Sequence, residues 1–234
     1  MDMLLKAFGS VVGLLVPALF IWAIRKGINA SPFSDDEKAS YARTFTSAVV
    51  LWTIAVWGAA LAGLVSYRPG ETVPRVLIAL FAPTLIGWGM LASAKFRTIL
   101  DNTPTSVLAG VQTYRLAGAS FLLVVHLGIL PAAFGGGGYG DIVTGSLALI
   151  SAVLLAKGNG AGKIAFWAFT ASGMFDLLNV LRLIVTFYPL WNNTLPSSAP
   201  LSDFALVMIP AMAAPTALIL HAYAIRNALV GAWK

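Results

Sequence analysis

Asp176, Asn179 and Arg182 recur at three-residue steps within an apolar run that begins near Ile164. On a helix that spacing places all three on one broad face. Asp176 stands 12 residues past Ile164, which is about 18 Å along a helix and close to the middle of a bilayer. An ionisable group at that depth must be paired or hydrated. The stripe therefore reads either as a binding or proton-relay site or as an internal Asp–Arg pair that ties helices together. Arg182 is expected near the outer boundary, on the side where Asp141 opens the preceding run, and a forked carboxylate–guanidinium contact would suit the two. Asp141 also reads as a helix N-cap beside a favourable dipole.

His126 and His221 are the only imidazoles, and there is no Cys. Thiolate chemistry, zinc–thiolate sites and iron–sulfur ligation are thereby excluded. His126, 11 residues past Arg115, is expected at mid-depth, in position to donate to Asp176. His221 is expected close to the inner boundary. That difference in depth argues against a haem held between the two, and no motif supports a haem on either one. Gln112 and Arg115, one turn apart, are expected at the inner end of their span. There Arg115 either snorkels to lipid phosphates or holds an anionic group beside His221. No cofactor and no metal is expected.

The elements that must position these residues follow from composition. Of 234 residues 59% are hydrophobic and only 10% charged, against about 25% charged in a soluble domain. The expected fold is an all-α integral membrane protein, a seven-helix bundle forming a single domain over residues 1–234. Spans are expected at about 4–24, 46–65, 76–94, 116–134, 142–156, 164–190 and 204–225, each a continuous apolar run rather than the alternation of a barrel strand. The first run is long and lacks a cleavage site, so it reads as a span and not a signal peptide. Ser34-Asp35-Asp36-Glu37 reads as a capping box that starts the second helix ahead of the membrane. Thr103-Pro104 is expected to start the fourth helix, with Thr as N-cap and Pro at the first position. Pro17, Pro83, Pro210 and Pro215 fall inside spans, and the last two make the seventh the element expected to bend.

With the N-terminus outside, eleven Lys and Arg lie inside, from Arg25 to Lys234 and including Arg115, and three lie outside, Lys6, Arg68 and Arg75. That asymmetry orients the chain N-out and C-in. It also explains the net charge of +6 without nucleic acid, which is not expected as a partner. Gly135 to Gly138 reads as a flexible outer connection or a lid over an outer cavity. Lys157-Gly-Asn-Gly-Ala-Gly-Lys163 fails as a phosphate loop because Ile164 follows the lysine, and reads as a tight inner turn. Asn192-Asn193-Thr194 fits a glycosylation acceptor only in a eukaryotic secretory route.

The second half resembles a family of uncharacterised bacterial polytopic membrane proteins. The resemblance rests on Gln112-Thr-Tyr-Arg115-Leu-Ala-Gly118, Phe121-Leu122, Leu130-Pro131 with Phe134, Gly140-Asp141 with Gly145, Gly173 with Asp176-Leu177, and Pro210, Pro215 and His221. It covers roughly residues 110–230 and departs from the family pattern at Gly135 to Gly138. It implies a bacterial inner-membrane protein and marks Arg115, Asp141, Asp176 and His221, but implies no activity. A retinal Schiff base in the last span is excluded, because no Lys falls between Lys163 and Lys234. The expected function is binding or transport of a small or amphiphilic ligand among spans four to seven. The rivals are a structural subunit of a membrane complex, which the many Gly and Ala would suit, and an intramembrane enzyme acting on lipid with Asp176 and His126 as acid and base. The expected partners are the bilayer, a small or lipid ligand, and either a second copy or a membrane complex.

Overall fold

The computed structural model describes residues 2–233, whose regular elements are all helices, with no strand among them. Helices α1 (Asp2–Ala30) and α2 (Asp35–Leu61) are followed by α3 (Arg75–Gly89), whose last turn tightens over Met90–Ala92. A short amphipathic α4 (Ala94–Asp101) leads into α5 (Thr105–Val111), a tight 3-10 stretch (Gln112–Gly118) and α6 (Ala119–His126). Then come α7 (Gly135–Ala156), α8 (Ala161–Thr186), a π turn (Ile209–Ala213) and α9 (Ala214–Leu229). Six stretches are long and apolar enough to cross a membrane: Met3–Ala30, Asp35–Leu61, Arg75–Ala92, Thr105–His126, Ala132–Ala156 and Ala161–Thr186.

Local chemistry sets the ends. The Ser34 hydroxyl accepts from the Glu37 N–H and the Glu37 carboxylate accepts from the Ser34 N–H, which satisfies two orphan donors at the start of α2. The fourth span differs most from expectation: it runs 105–126, not 116–134. Gly128 adopts φ +68°, the Gly128 N–H donates to the Val125 carbonyl, and the Ile129 N–H donates to the Val124 carbonyl. That paired closure ends α6 early. At its start, Thr103 is not the cap; its hydroxyl donates to the Ile99 carbonyl, and Pro104 precedes the first helical residue.

Gly135 to Gly138 is likewise not a loose connection but the first turn of α7. A Cβ at Gly137 would stand 2.7 Å from Val180, and one at Gly138 would stand 2.9 Å from Leu122. The bare backbone there lets α6 and α8 close on α7, which a side chain would prevent.

The seventh apolar run is not one helix over 204–225. Pro210 and Pro215 each withhold a backbone donor, and the chain passes through the π turn before α9 begins. The Tyr114 hydroxyl donates to the Ala213 carbonyl at 2.6 Å, which fixes that turn against the 3-10 stretch. Pro17 and Pro83, by contrast, lie inside uninterrupted helices.

The antiparallel pair α7–α8 forms the most extensive helix contact, and the α5–α6 segment lies along α7. Helix α9 packs on α3 and α5, and α1 packs on α2 and the π turn. Two clusters of polar contacts mark opposite ends of the bundle. At one end Arg226 donates to Asp101, Asn227 Nδ2 donates to the Leu100 and Thr103 carbonyls, and the Thr105 hydroxyl donates to the Ala232 carbonyl. At the other, the Tyr188 hydroxyl donates to Glu71 at 2.5 Å and its ring meets Tyr67 edge-on. Burial, and then the Glu71 carboxylate, raise the Tyr188 phenol above its ordinary pKa.

Candidate functional site

The 3-10 stretch Gln112–Gly118 interrupts the fourth span and carries Arg115, which is 3% exposed, into the bundle. Its guanidinium makes three contacts. Nε donates to Asp141 Oδ1 at 2.7 Å, Nη2 to Asp176 Oδ2 at 2.5 Å, and Nη1 to the Gly173 carbonyl at 3.3 Å. Asp141 comes from the second turn of α7 and Asp176 from the middle of α8. The two carboxylates also interact with each other. One rigid fork thus joins three helices, a geometry that guanidinium supplies and ammonium does not.

Glycines make the approach possible. A Cβ at Gly118 would overlap Asp141, one at Gly140 would overlap Asp176, and one at Gly173 would overlap His221 and crowd Arg115. Each helix therefore contributes a charged residue and a glycine that clears space for a neighbour. One turn further in, Thr144 and Ser172 share a hydrogen bond of 2.9 Å.

The charges do not balance. Two carboxylates face one guanidinium, and the low-dielectric surroundings make the surplus negative charge costly. Polar atoms nearby also lack protein partners. Gln112 and His221 are wholly buried, and neither the Gln112 amide nor either His221 nitrogen meets a hydrogen-bond partner. The His221 ring stacks on Phe169, with centroids 4.8 Å apart, and its Nε2 points at Gly173. Thr170 and Ser151, on the same two helices as the carboxylates, carry buried hydroxyls that are also unpartnered. Buried polar groups in that state call for water or a ligand. A cavity of about 60 Å³ borders Tyr114, Arg115, Asp141, Asp176 and Ile209. It has room for a few waters or a small ion and is far below a drug-sized pocket.

The residues singled out in the sequence thus sort differently from expectation. Arg115, Asp141 and Asp176 come together, with Gln112 and His221 in the adjoining layer. Arg182 joins neither carboxylate; it is exposed, and its Nη2 donates to Asn179 Oδ1 at 3.0 Å. It lies six residues beyond Asp176, past the reach of a guanidinium that already contacts its own i−3 neighbour. His126 is exposed at the end of α6 and does not meet Asp176. The His126 correction follows from the extent of the fourth helix. The helix starts at Thr105, close to the expected Thr103-Pro104, but ends at His126, so the apolar run of 105–126 holds Arg115 near its centre and His126 at its end. Among the described residues no group of His, Asp and Glu is arranged to hold a metal.

No curated protein and no solved structure gives a significant match to the chain. A family model described as "Domain of unknown function (DUF8737)" matches residues 72–229, which run from just before α3 to the end of α9 and include Arg115, Asp141, Asp176, Gln112 and His221. The match covers well over half of the chain, which therefore belongs to that family.

Proposed function

We propose that this is a seven-span protein of a bacterial inner membrane, N-terminus outside, that binds or transports a small ligand bearing one positive charge at the Arg115–Asp141–Asp176 cluster. The observation that carries this reading is a pair of carboxylates, Asp176 buried and Asp141 partly buried, served by a single buried guanidinium. A proton or a small monovalent cation supplies the missing charge and suits the cavity of about 60 Å³. The guanidinium stays fixed by the Gly173 carbonyl while the free carboxylate lone pairs receive the ligand. His221, unpartnered and beside the guanidinium at Gly173, offers a further acceptor.

Two observations support the seventh pass. The π turn and α9 together cover 209–229, about 30 Å of helix. The end of α9 is tied to α4 and α5, whereas the chain after α8 is tied at Tyr188 to Glu71, which lies between α2 and α3. The stretch between those anchors therefore returns across the bundle. With Arg115 drawn into the centre, ten Lys and Arg remain at inner positions against three outside, and the bias still orients the chain N-out.

The test is calorimetric titration of the protein in nanodiscs with protons, sodium, potassium and ammonium. Wild type takes up one cation per chain, and Asp176→Asn inserts normally but takes up none. Uptake by Asp176→Asn equal to that of wild type sinks the reading.

A second reading, a structural subunit of a membrane complex, is favoured by the glycine clearances, which make the ion cluster a clamp between helices. In that case wild type binds no cation, and mild-detergent purification brings down a partner.

A further inference from the structure

A second cavity, of about 510 Å³, lies away from the carboxylates between α1, α2, α3 and α9. It falls within the size range of small-molecule sites. Its walls are hydrocarbon: Phe20 from α1, Phe45 from α2, Pro83 from α3, Met212 from the π turn and Ile219 from α9. Helices α2 and α3 both line it but make no extensive contact with each other. Between them the cavity opens sideways, past Leu51 and Ile86, which are 65% and 68% exposed. Those two residues continue an apolar outer surface that includes Ile54, Ile78 and Leu85. An apolar space of this size does not hold water stably and is not left empty beside a fluid hydrocarbon.

One end of the cavity is polar. Tyr41 lines it there, and the Lys95 ammonium sits 5.8 Å from the centroid of the Tyr41 ring. The nearest carboxylate to Lys95 is Glu37, at 3.9 Å, and the lysine side chain is 65% exposed. That is a long, loose pair, so the ammonium keeps donors for another anion. Tyrosine and lysine at the end of a span are the side chains that sit at headgroup level.

We propose that this cavity is a binding site for one anionic phospholipid, with an acyl chain between α2 and α3 and the phosphate at Lys95 and Tyr41. The site is independent of the carboxylate cluster and stands whether or not that cluster binds a cation. Lateral access selects a bilayer lipid over a soluble ligand, and the cation at the polar end selects an anionic headgroup over a neutral one.

The experiment is lipid retention. Full-length protein, stripped of lipid in mild detergent, is incubated with equimolar phosphatidylglycerol and phosphatidylcholine, re-isolated, and its bound lipid counted by native mass spectrometry. Wild type retains one phosphatidylglycerol per chain. Ala48→Trp, which fills the cavity from α2, retains about tenfold less, because the chain loses its apolar burial. Lys95→Ala still holds lipid but loses about fivefold of its preference for the anionic headgroup. Thermal stability of Ala48→Trp equal to that of wild type shows that folding is intact, and Ala55→Phe, from the same wall, serves if it is not. Equal retention of the two lipids by wild type, or retention by the folded cavity-filled variant equal to wild type, overturns the proposal.

Discussion

The Arg115 cluster and the apolar cavity between α2 and α3 use small and apolar residues to opposite ends. Around Arg115, glycines are spent on contact: Gly118, Gly140 and Gly173 each face a side chain where a Cβ would collide. In α2 and at the end of α3, Gly58 and Gly89 face nothing within 4 Å. The first region encloses charge in about 60 Å³ and the second leaves about 510 Å³ of hydrocarbon-lined space. Buried charges tolerate neither slack nor an unmatched partner, so their surroundings must fix geometry tightly. A hydrocarbon ligand needs only volume and an opening to the bilayer. The family match beginning at residue 72 takes in the whole charged region, whereas α1 and α2, two walls of the apolar cavity, lie before it.

The largest expected effect comes from removing the cation. Arg115→Met leaves two carboxylates buried together and costs about 3–5 kcal/mol, read as a drop in the denaturation midpoint in detergent micelles. Adding Asp141→Asn and Asp176→Asn to that variant returns much of the loss, because neutral groups carry no such desolvation cost. A triple variant no more stable than the single one would show that the charges are not the source.

Next in size is a pair of glycine changes with opposite signs. Gly140→Ala drives a methyl into the Asp176 carboxylate and costs about 1–3 kcal/mol. Gly58→Ala, which meets no atom, stabilises α2 by about 0.5–1 kcal/mol. The same assay reads both, and equal signs would erase the contrast between the crowded glycine and the open one.

A smaller effect is expected at the Tyr188–Glu71 contact. Tyr188→Phe loses the bond to Glu71 and costs about 1 kcal/mol. The Tyr188 phenol is raised by burial and by Glu71, so its contribution is complete below the unfolded phenol value near 10 and is lost as pH rises past it. Wild type should therefore lose its advantage over Tyr188→Phe in alkaline unfolding curves and keep it at neutral pH.

Much of this was legible in the sequence, and the misses share a cause. Charge scarcity and long apolar runs gave the helical, membrane-length elements, and Ser34 with Glu37 gave a cap that the structure contains. Asp176 stood out because topology does not account for an acid at mid-helix. Its partner Arg115 is hidden because hydropathy places that residue at a span edge, whereas the Gly128 turn closes the helix early and leaves Arg115 near the centre of 105–126. Arg182, three residues from Asn179, looked aligned with Asp176 along one face, yet the guanidinium turns to its near neighbour. The glycines held the missing signal. Gly118, Gly140 and Gly173 stand within three residues of Arg115, Asp141 and Asp176 respectively, a small residue beside each charge that marks where backbones converge. The lateral cavity leaves no such mark, because a gap between helices is a property of packing and not of local pattern.

The central claim is that the Arg115–Asp141–Asp176 cluster exchanges a positive charge. Infrared difference spectroscopy of the protein in lipid tests it most directly, recorded while protons or monovalent cations are titrated and comparing wild type with Asp176→Asn. If the cluster exchanges a positive charge, a carboxyl or carboxylate band changes on titration in wild type and is missing from the variant. Wild-type bands that stay constant through every titration would mean a closed ion cluster and contradict it.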